Sequence, residues 1–494
     1  MASFAARCGV DETSLASLQA DVARSIEAHG IDLVRIGWCD LHGVLRGKSL
    51  VAAGVAGALR SGVGMVSTIL LKDTSDRTAY RVFEPGGTAA LPGFGFANNL
   101  VLVPDPASFR VLPWAWATGW LQAQAWFEDG TPVLLDTRRV LQQALARLAR
   151  AGYALTCGLE VEFHIYRLTG GADDPALDPQ RAAWPGEPPA MTMIHPGYNL
   201  LAEGWADMAD EPLRIVQRTA QALGLPLRSL EIELGPSQVE AVFDPTDALT
   251  AADQMVLFRN GVRQALRRAG YYASFVCRPP FPNVMASGWH LHQSLVDIET
   301  GGNAFACDAL ATAPATNHAR ATLSDLGAHY LAGLLVHGRG MAAFCTPTVN
   351  GFGRFRPNAM APQAVTWGRD NRGAMLRVLG ERGDPATRIE NRIGEPAANP
   401  YLYFAAQIHA GLDGIERALE PGPPTGAPYA GVDALLPTGL GEALDALAGD
   451  AELVSGFGAG LVEWFTCIKR AELQRHDQAD DKDDWQAREY FSRS

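Results

Sequence analysis

The chain has 494 residues, 47% hydrophobic and 19% charged, a globular balance that excludes disordered, collagen-like and coiled-coil classes. Forty-one basic residues against 54 acidic ones leave a net charge of −13, which argues against a nucleic-acid partner. Seven scattered cysteines, odd in number and without a Cys-x-x-Cys pair, fit a reducing cytoplasm and exclude a disulfide scaffold. No secretory signal opens the sequence, and no apolar run approaches the roughly 18 residues a membrane span needs. The expectation is a cytoplasmic protein with no membrane partner.

Residues 18–30 predict a short helix and 31–50 read as strands. Within them Gly43-Val-Leu-Arg-Gly-Lys-Ser49 approaches a phosphate-binding P-loop, but the loop is one residue short, with His42 where GxxxxGK[ST] needs glycine. That reading is rejected. Gly, Pro, Asn and Asp punctuate 62–113, which predicts short strands and loops. Asp136 then sits where it can cap a helix whose Val140, Leu141, Ala144, Leu145 and Leu148 share one face. Helical spacing recurs in 212–223 and 253–268, with strand-like runs between. A boundary in 115–133 divides the chain into a small N-terminal domain, 1–125, and a large catalytic one, 126–494. The segment 476–485 is charge-rich and predicted to be solvated.

The informative pattern is the alternation of ionisable and apolar residues in segments of strand character. Glu160 and Glu162 share a face in GLEVEFH, as do Glu231 and Glu233 just before Gln238-Val-Glu240. His290, His292 and Ser294 share a face in WHLHQS, and Arg388, Glu390 and Arg392 share another. One such segment is what any half-solvated strand looks like. Four in one chain place carboxylates and imidazoles together, which suits hard divalent ions such as Mg²⁺ or Mn²⁺. Eight arginines fall within the 39 residues 354–392, and guanidinium forks match phosphate and carboxylate oxygens. Metal-holding carboxylates with arginines are the equipment of phosphoryl transfer from a nucleotide.

GLEVEFHIY, ELGPSQVE, SGWHLHQSL, NRGAMLRV and RIENRIGEPAANPYLYF, in this order over nearly the whole chain, resemble the glutamine synthetase superfamily. The resemblance implies an α+β protein: an N-terminal β-grasp domain and a catalytic domain with a curved antiparallel sheet flanked by helices. It implies ring homo-oligomers with active sites between subunits. Carried over by residue, one metal site would use Glu162, Glu233 and Glu240, and another Glu160, His290 and Glu390. About two or three Mg²⁺ or Mn²⁺ ions would serve each active site. His292, Ser294 and Arg388 match the ATP-binding positions, and Arg372 and Arg377 the arginines that handle the transferred phosphoryl group. Gly288, Arg354 and Arg392 match those that hold glutamate. The implied reaction is phosphorylation of the glutamate γ-carboxylate by ATP, followed by displacement of phosphate by an amine.

The departures bear on which amine. Where family members that use ammonium carry an aspartate in the N-terminal domain, this chain reads Gly64-Met65-Val66-Ser67. Met360 stands where the flap glutamate would be, and Tyr198 matches the remaining ammonium-site tyrosine. Binding and deprotonating ammonium needs nearby anions. Their loss, and the RPNAMAP flap, point to the amine-γ-glutamyl ligase branch and to an amine pocket of Met65, Val66, Tyr198 and Met360. Trp289 is expected at its entrance. An aromatic or hydrophobic amine such as aniline is favoured, because it arrives neutral and needs only an apolar slot. The alternative amine is a polyamine such as putrescine, with Asp73, Asp76 or Glu84 holding the distal ammonium. A different class of alternative is a catalytically silent structural or regulatory oligomer.

Overall fold

The computed structural model describes residues 3–171, 174–307, 318–357, 359–430 and 434–491. Asn358 of the flap motif lies outside them. The N-terminal sheet is built from β1 (Leu33–Cys39), β2 (Leu45–Val51), β3 (Val63–Val66), β4 (Asn99–Pro104), β5 (Arg110–Val111) and β6 (Thr118–Phe127). Its order is β2-β1-β6-β4-β3, with β5 also on β6; β1 and β6 run parallel and the other pairs antiparallel. Val34, Ile36 and Leu121 are buried under it, so the apolar residues of alternating strands supply its core.

The P-loop look-alike is the turn and outgoing strand of the β1–β2 hairpin. Asp40 Oδ1 accepts from the amides of His42 (2.9 Å) and Val44 (3.0 Å), so those donors are already taken. Gly43, at φ +74°, turns its carbonyl to Arg259. Nothing here cradles a phosphate.

Asp136 joins the two parts of the chain. Its carboxylate accepts from Ala125 N at the end of β6 (2.7 Å), from Trp38 Nε1 (3.1 Å) and from Arg139 N as the helix cap. The helix Thr137–Arg150 buries Val140, Leu141, Ala144 and Leu148, with Leu145 half-buried. Helices Asp210–Ala222 and Ala248–Arg268 fall where the spacing predicts, and Met255, Phe258, Val262 and Leu266 are fully buried.

The second sheet has nine strands. They are β7 (Tyr153–Leu168), β8 (Met191–Met193), β9 (Leu227–Ile232), β10 (Gln238–Asp247), β11 (Tyr271–Ser274), β12 (Trp289–Asp297), β13 (Trp367–Arg369), β14 (Leu376–Leu379) and β15 (Arg388–Asn391). The order is β13-β14-β15-β12-β7-β10-β9, with β8 and β11 also on β7; only β13–β14 is parallel. Along β7, Leu159, Val161 and Phe163 enter the core while Glu160 and Glu162 take the other face. The helix Pro400–Glu416 is buried along almost its whole length.

The expectation of a solvated 476–485 holds for residues 477–484, which are largely exposed, but the chain turns inward directly after them. Glu489, Tyr490 and Phe491 are buried, and Phe491 packs among Tyr166, Tyr272 and Phe281. No single helix among the described residues is long and apolar enough to cross a membrane. The helices Ala451–Phe457 and Ala459–Asp477 together reach that length, but they bend by 103° and bury Leu453, Leu461, Trp464 and Phe465 in the core.

Candidate active site

Strand register assembles the charged faces into rows. Arg377 on β14 pairs with Glu390 on β15, and Glu390 with His292 on β12. His290 on β12 pairs with Glu160 on β7. One step further along β7, Glu162 pairs with Glu240 on β10, which pairs with Glu231 on β9. Antiparallel pairing keeps the side chains of opposed residues on one face, so six strands deliver one charged surface.

His290 is its centre. Its Nδ1 lies 3.5 Å from Glu160, 3.7 Å from Glu390 and 4.0 Å from Glu240, and its Nε2 lies 3.9 Å from Glu162. Burial and the charge of Arg392 lower the pKa of His290, against the pull of the carboxylates of Glu160, Glu390 and Glu162. His292 Nε2 is buried, 3.0 Å from Glu160 Oε1, and is placed to donate to that carboxylate.

The carboxylates are under-compensated. Among the described residues no Arg or Lys pairs with Glu160, Glu162, Glu233 or Glu240. Burial and the charges of Glu162 and Glu160 push Glu240 up to about 10, and burial with Glu162 pushes Glu233 up to about 7. Burial works the same way on Glu160, but the imidazoles of His290 and His292 outweigh it and hold that group low. Glu390 is also held low against burial, by His290 and Arg392. Carboxylates gathered around His290 without an Arg or Lys partner could hold a cation, and the oxygen-rich composition fits a hard divalent ion.

Two triplets have ligand atoms within 4.8 Å of one another: Glu160, Glu240 and His290; and Glu160, His292 and Glu390. Five of the six residues expected as ligands from the sequence meet around His290, with Glu233 coupled to them through Glu162. The grouping differs from the expected triplets because Glu160 lies between both imidazoles and belongs to each.

The arginines are locked in place. Arg377 Nη1 donates to Glu390 at 3.0 Å and its Nε to Asp370 at 2.9 Å, while Arg392 reaches the other oxygen of Glu390. Arg354 is buried, donates to the carbonyls of Arg392 (2.9 Å) and Gly394 (3.3 Å), and brings Nη2 to 3.3 Å from His290. A Cβ at Gly288 would run into that guanidinium, which explains the glycine. Arg372 is exposed, and its carbonyl rather than its side chain meets Arg392.

Beside the cluster lies a cavity of 460 Å³ bordered by Glu160, His292, Ser294 and Arg388, with Val242, Phe243 and Pro245 as an apolar wall. Arg388 Nε donates to His292 Nδ1 at 3.0 Å, so all three expected nucleotide residues share one cavity.

The amine residues are not brought together within one chain. Met360 and Tyr198 are exposed at positive φ (+51° and +57°). The Met360 carbonyl accepts from Arg392 at 3.2 Å, and the Tyr198 hydroxyl donates to the Asn283 carbonyl. Met65 and Val66 belong instead to β3 and line a separate groove, with Gly47, Lys48, Ile69 and Asn99. Trp289 does not stand at the pocket entrance: it is fully buried, edge-on to Tyr403 at 5.2 Å, because strand alternation sends it to the face opposite His290.

Two residues that sequence reasoning missed support the site. Gln238 Nε2 donates to Glu162 at 3.0 Å and to Ser287 at 3.1 Å, while its Oε1 accepts from Gly235 N at 2.9 Å. Its position two residues before Glu240, on the same face, was the available signal. Asp370 holds Arg377 from a turn at φ +48°, with no sequence signal to mark it.

Residues 134–490 match the family model for the catalytic domain of glutamine synthetase. The chain is 38% identical over 488 residues to γ-glutamylanilide synthase of an Acinetobacter species, covering 95% of each. It is 31% identical to γ-glutamylethanolamide synthetase of Streptomyces coelicolor, covering 95% of this chain and 94% of that one. A solved structure of GmaS without ligand superposes with a TM-score of 0.74 at 29% identity, over 94% of this chain and 98% of that one. With the carboxylate–imidazole cluster and the arginines in place on such a sheet, the chain belongs to the glutamine synthetase family and is an ATP-dependent glutamate–amine ligase.

Proposed function

We propose that the amine is aromatic or hydrophobic, with aniline giving γ-glutamylanilide as the leading case. The observation that carries this is the groove beside Met65 and Val66. It holds no carboxylate and does hold Lys48, whose ammonium donates to the Gly64 carbonyl. A lysine there repels a cationic amine and tolerates a neutral one. The acids that could hold the far end of a polyamine are engaged elsewhere. Asp73 pairs with Arg475, Asp76 with Arg46 and Lys72, and Glu84 with Arg81. Similarity to a γ-glutamylanilide synthase supports the same amine.

In this reading the N-terminal sheet (1–125) of one subunit covers the catalytic unit (126–494) of a neighbour in a cytoplasmic ring. Met65 and Val66 thereby meet Met360 and Tyr198. His292, Ser294 and Arg388 bind ATP in their cavity, and Gly288, Arg354 and Arg392 hold glutamate. Glu160, Glu162, Glu233, Glu240, His290 and Glu390 would hold Mg²⁺ or Mn²⁺, which neutralise phosphoryl charge when bound. Arg377, with Arg372 from the exposed loop, orients the γ-phosphoryl group as the glutamate γ-carboxylate attacks it and ADP leaves. The amine nitrogen then attacks the acyl carbon, the C–O bond to phosphate breaks, and the nitrogen proton leaves with phosphate. A neutral arylamine reaches that step without a base to unmask its lone pair. A silent oligomer would have no use for four clustered carboxylates without an Arg or Lys partner among the described residues.

The test is phosphate release with glutamate, Mg²⁺ and ATP across ammonium, ethylamine, isopropylamine, putrescine, spermidine and aniline. Aniline should give the strongest signal. A preference for putrescine would refute the groove argument and leave the ligase in place, whereas turnover with ammonium as good as with any organic amine would refute both readings of the amine pocket.

A further inference from the structure

Away from the catalytic sheet lies a larger cavity, of 900 Å³, between the 90–99 loop, the turn after β6 and the junction of helices Ala451–Phe457 and Ala459–Asp477. Its walls are Leu91, Phe94, Phe127, Leu135, Phe457 and Leu461, with Phe94 and Phe127 edge to face at 5.5 Å between centroids. Its polar lining includes Glu128, Asp129, Asn98 and Asn99, and among the described residues neither Lys nor Arg lines it. Glu128 has no hydrogen-bond or ion-pair partner among the described residues. Asp129 is fixed by Thr131 N (2.8 Å) and Oγ1 (2.7 Å).

The combination is specific in chemical terms. Aromatic walls accept a ring, and a rim of acceptors without cations accepts N–H donors and rejects carboxylates and phosphates. The cavity also adjoins the amine groove. Asn99 lines both, and it is paired across β3–β4 with Val66. Beside it, Asn98 Oδ1 accepts from Ser67 Oγ and Asn98 O from Ser67 N, each at 2.8 Å.

We propose that this cavity is an accessory binding site for small aromatic amines, adjoining the Met65–Val66 groove through Asn99. The ring lies against Phe94, Phe127 and Phe457, and the amino group donates to Glu128 or Asn99. Only the choice of amine rests on the ligase reading above, so the two can fail separately.

The experiment uses the assembled full chain with ATP and glutamate omitted, and follows 4-fluoroaniline by fluorine NMR. Gly460 lines the cavity, and a Cβ there meets nothing within 4 Å, so Gly460→Phe introduces its side chain from an open position. Gly460→Phe should weaken binding about tenfold or more and leave kcat at saturating amine unchanged. Glu128→Gln, which cannot disturb the core, should also weaken it. Fluorobenzene, which has no N–H, should bind about tenfold less well than 4-fluoroaniline. Unchanged binding in both variants, or equal binding of fluorobenzene, would overturn the proposal. So would a change in oligomer mass in Gly460→Phe, because the cavity would then be a face covered by another copy. Absence of aniline turnover with binding intact would count against the ligase reading alone.

Discussion

Two buried groups of charge in this molecule are built to opposite rules. On the catalytic sheet, Glu160, Glu162, Glu233 and Glu240 face one another with only imidazoles between them. Where the N-terminal unit meets the C-terminal segment, Arg475 donates to Asp73 at 2.9 Å and to both oxygens of Glu489 (3.0 and 2.6 Å), while Thr74 and Ser75 donate to the same carboxylate. Nearby, Lys469 pairs with Glu472 at 2.9 Å, and the Tyr490 hydroxyl also donates to Glu472. Burial tends to raise Glu489, yet these hydrogen bonds hold it low. The second cluster is paired by the protein itself, whereas among the described residues no Arg or Lys pairs with those four carboxylates of the first. Charge left open in this way costs stability and is what a candidate site, rather than a structural cluster, can tolerate.

That contrast can be broken or sharpened by substitution. The largest effect is expected from Glu390→Ala, which removes a candidate metal ligand and one partner each of Arg377 and Arg392. Turnover should fall about a thousandfold, the size of several kcal/mol of lost charge stabilisation, with the oligomer intact by light scattering. Near-native turnover would break the assignment of that site.

In the paired cluster, Arg475→Met strands Asp73 and Glu489 in the interior and should cost about 3–5 kcal/mol in denaturant unfolding. Turnover per folded molecule should stay near native. A large kcat loss in a folded variant would erase the distinction between the clusters.

Glu395 tests a third case, a buried carboxyl without a paired cation. Burial pushes it up to about 7 from 4.5, although Thr348 donates to it through Oγ1 and N, at 2.8 Å each. A raised folded-state value means the contribution to stability is full below about pH 4.5 and is lost as pH rises through 7; the gap is worth about 3 kcal/mol. Wild-type stability should therefore carry a fall between pH 5 and 8 that Glu395→Gln reduces, measured as the difference between the two proteins' unfolding curves.

The smallest effect is Glu240→Gln in metal-free protein. The folded protein must hold Glu240 protonated where an unfolded chain would ionise it, so the neutral amide should raise Tm by about 1 °C per kcal/mol regained, even as turnover is lost. Added Mg²⁺ should raise the Tm of the wild type and of Arg475→Met equally, and that of Glu240→Gln less. A lower Tm for metal-free Glu240→Gln would show that the carboxylates are already compensated.

Much of the site was legible because strand alternation is a local rule. Glu160 and Glu162, or His290 and His292, share a face in any strand, so their co-display needed no tertiary knowledge. The Asp136 cap and the core helices were legible for the same reason, since caps and apolar spacing act over a single turn or two. The same alternation, applied strictly, would also have sent Trp289 into the core opposite His290. Other features had no local signature. Gln238, Asp370 and the three-way grip on Arg354 depend on which strands become neighbours. The C-terminal anchor is similar: a charged run predicted solvent for 476–485, while Glu489 found its partner at Asp73's loop, some four hundred residues away.

The sequence by itself determined the chemistry: which acids, imidazoles and arginines are present, and which of them share a face. The tertiary structure decided the electrostatics. Register placed Glu160 between two histidines, burial turned Glu240 into a group that resists ionisation, and pairing set Asp73 against Arg475. Covalent order fixes what a side chain can do within its own strand or helix. Only the packing of distant segments fixes the dielectric and the neighbours that set whether its charge is satisfied.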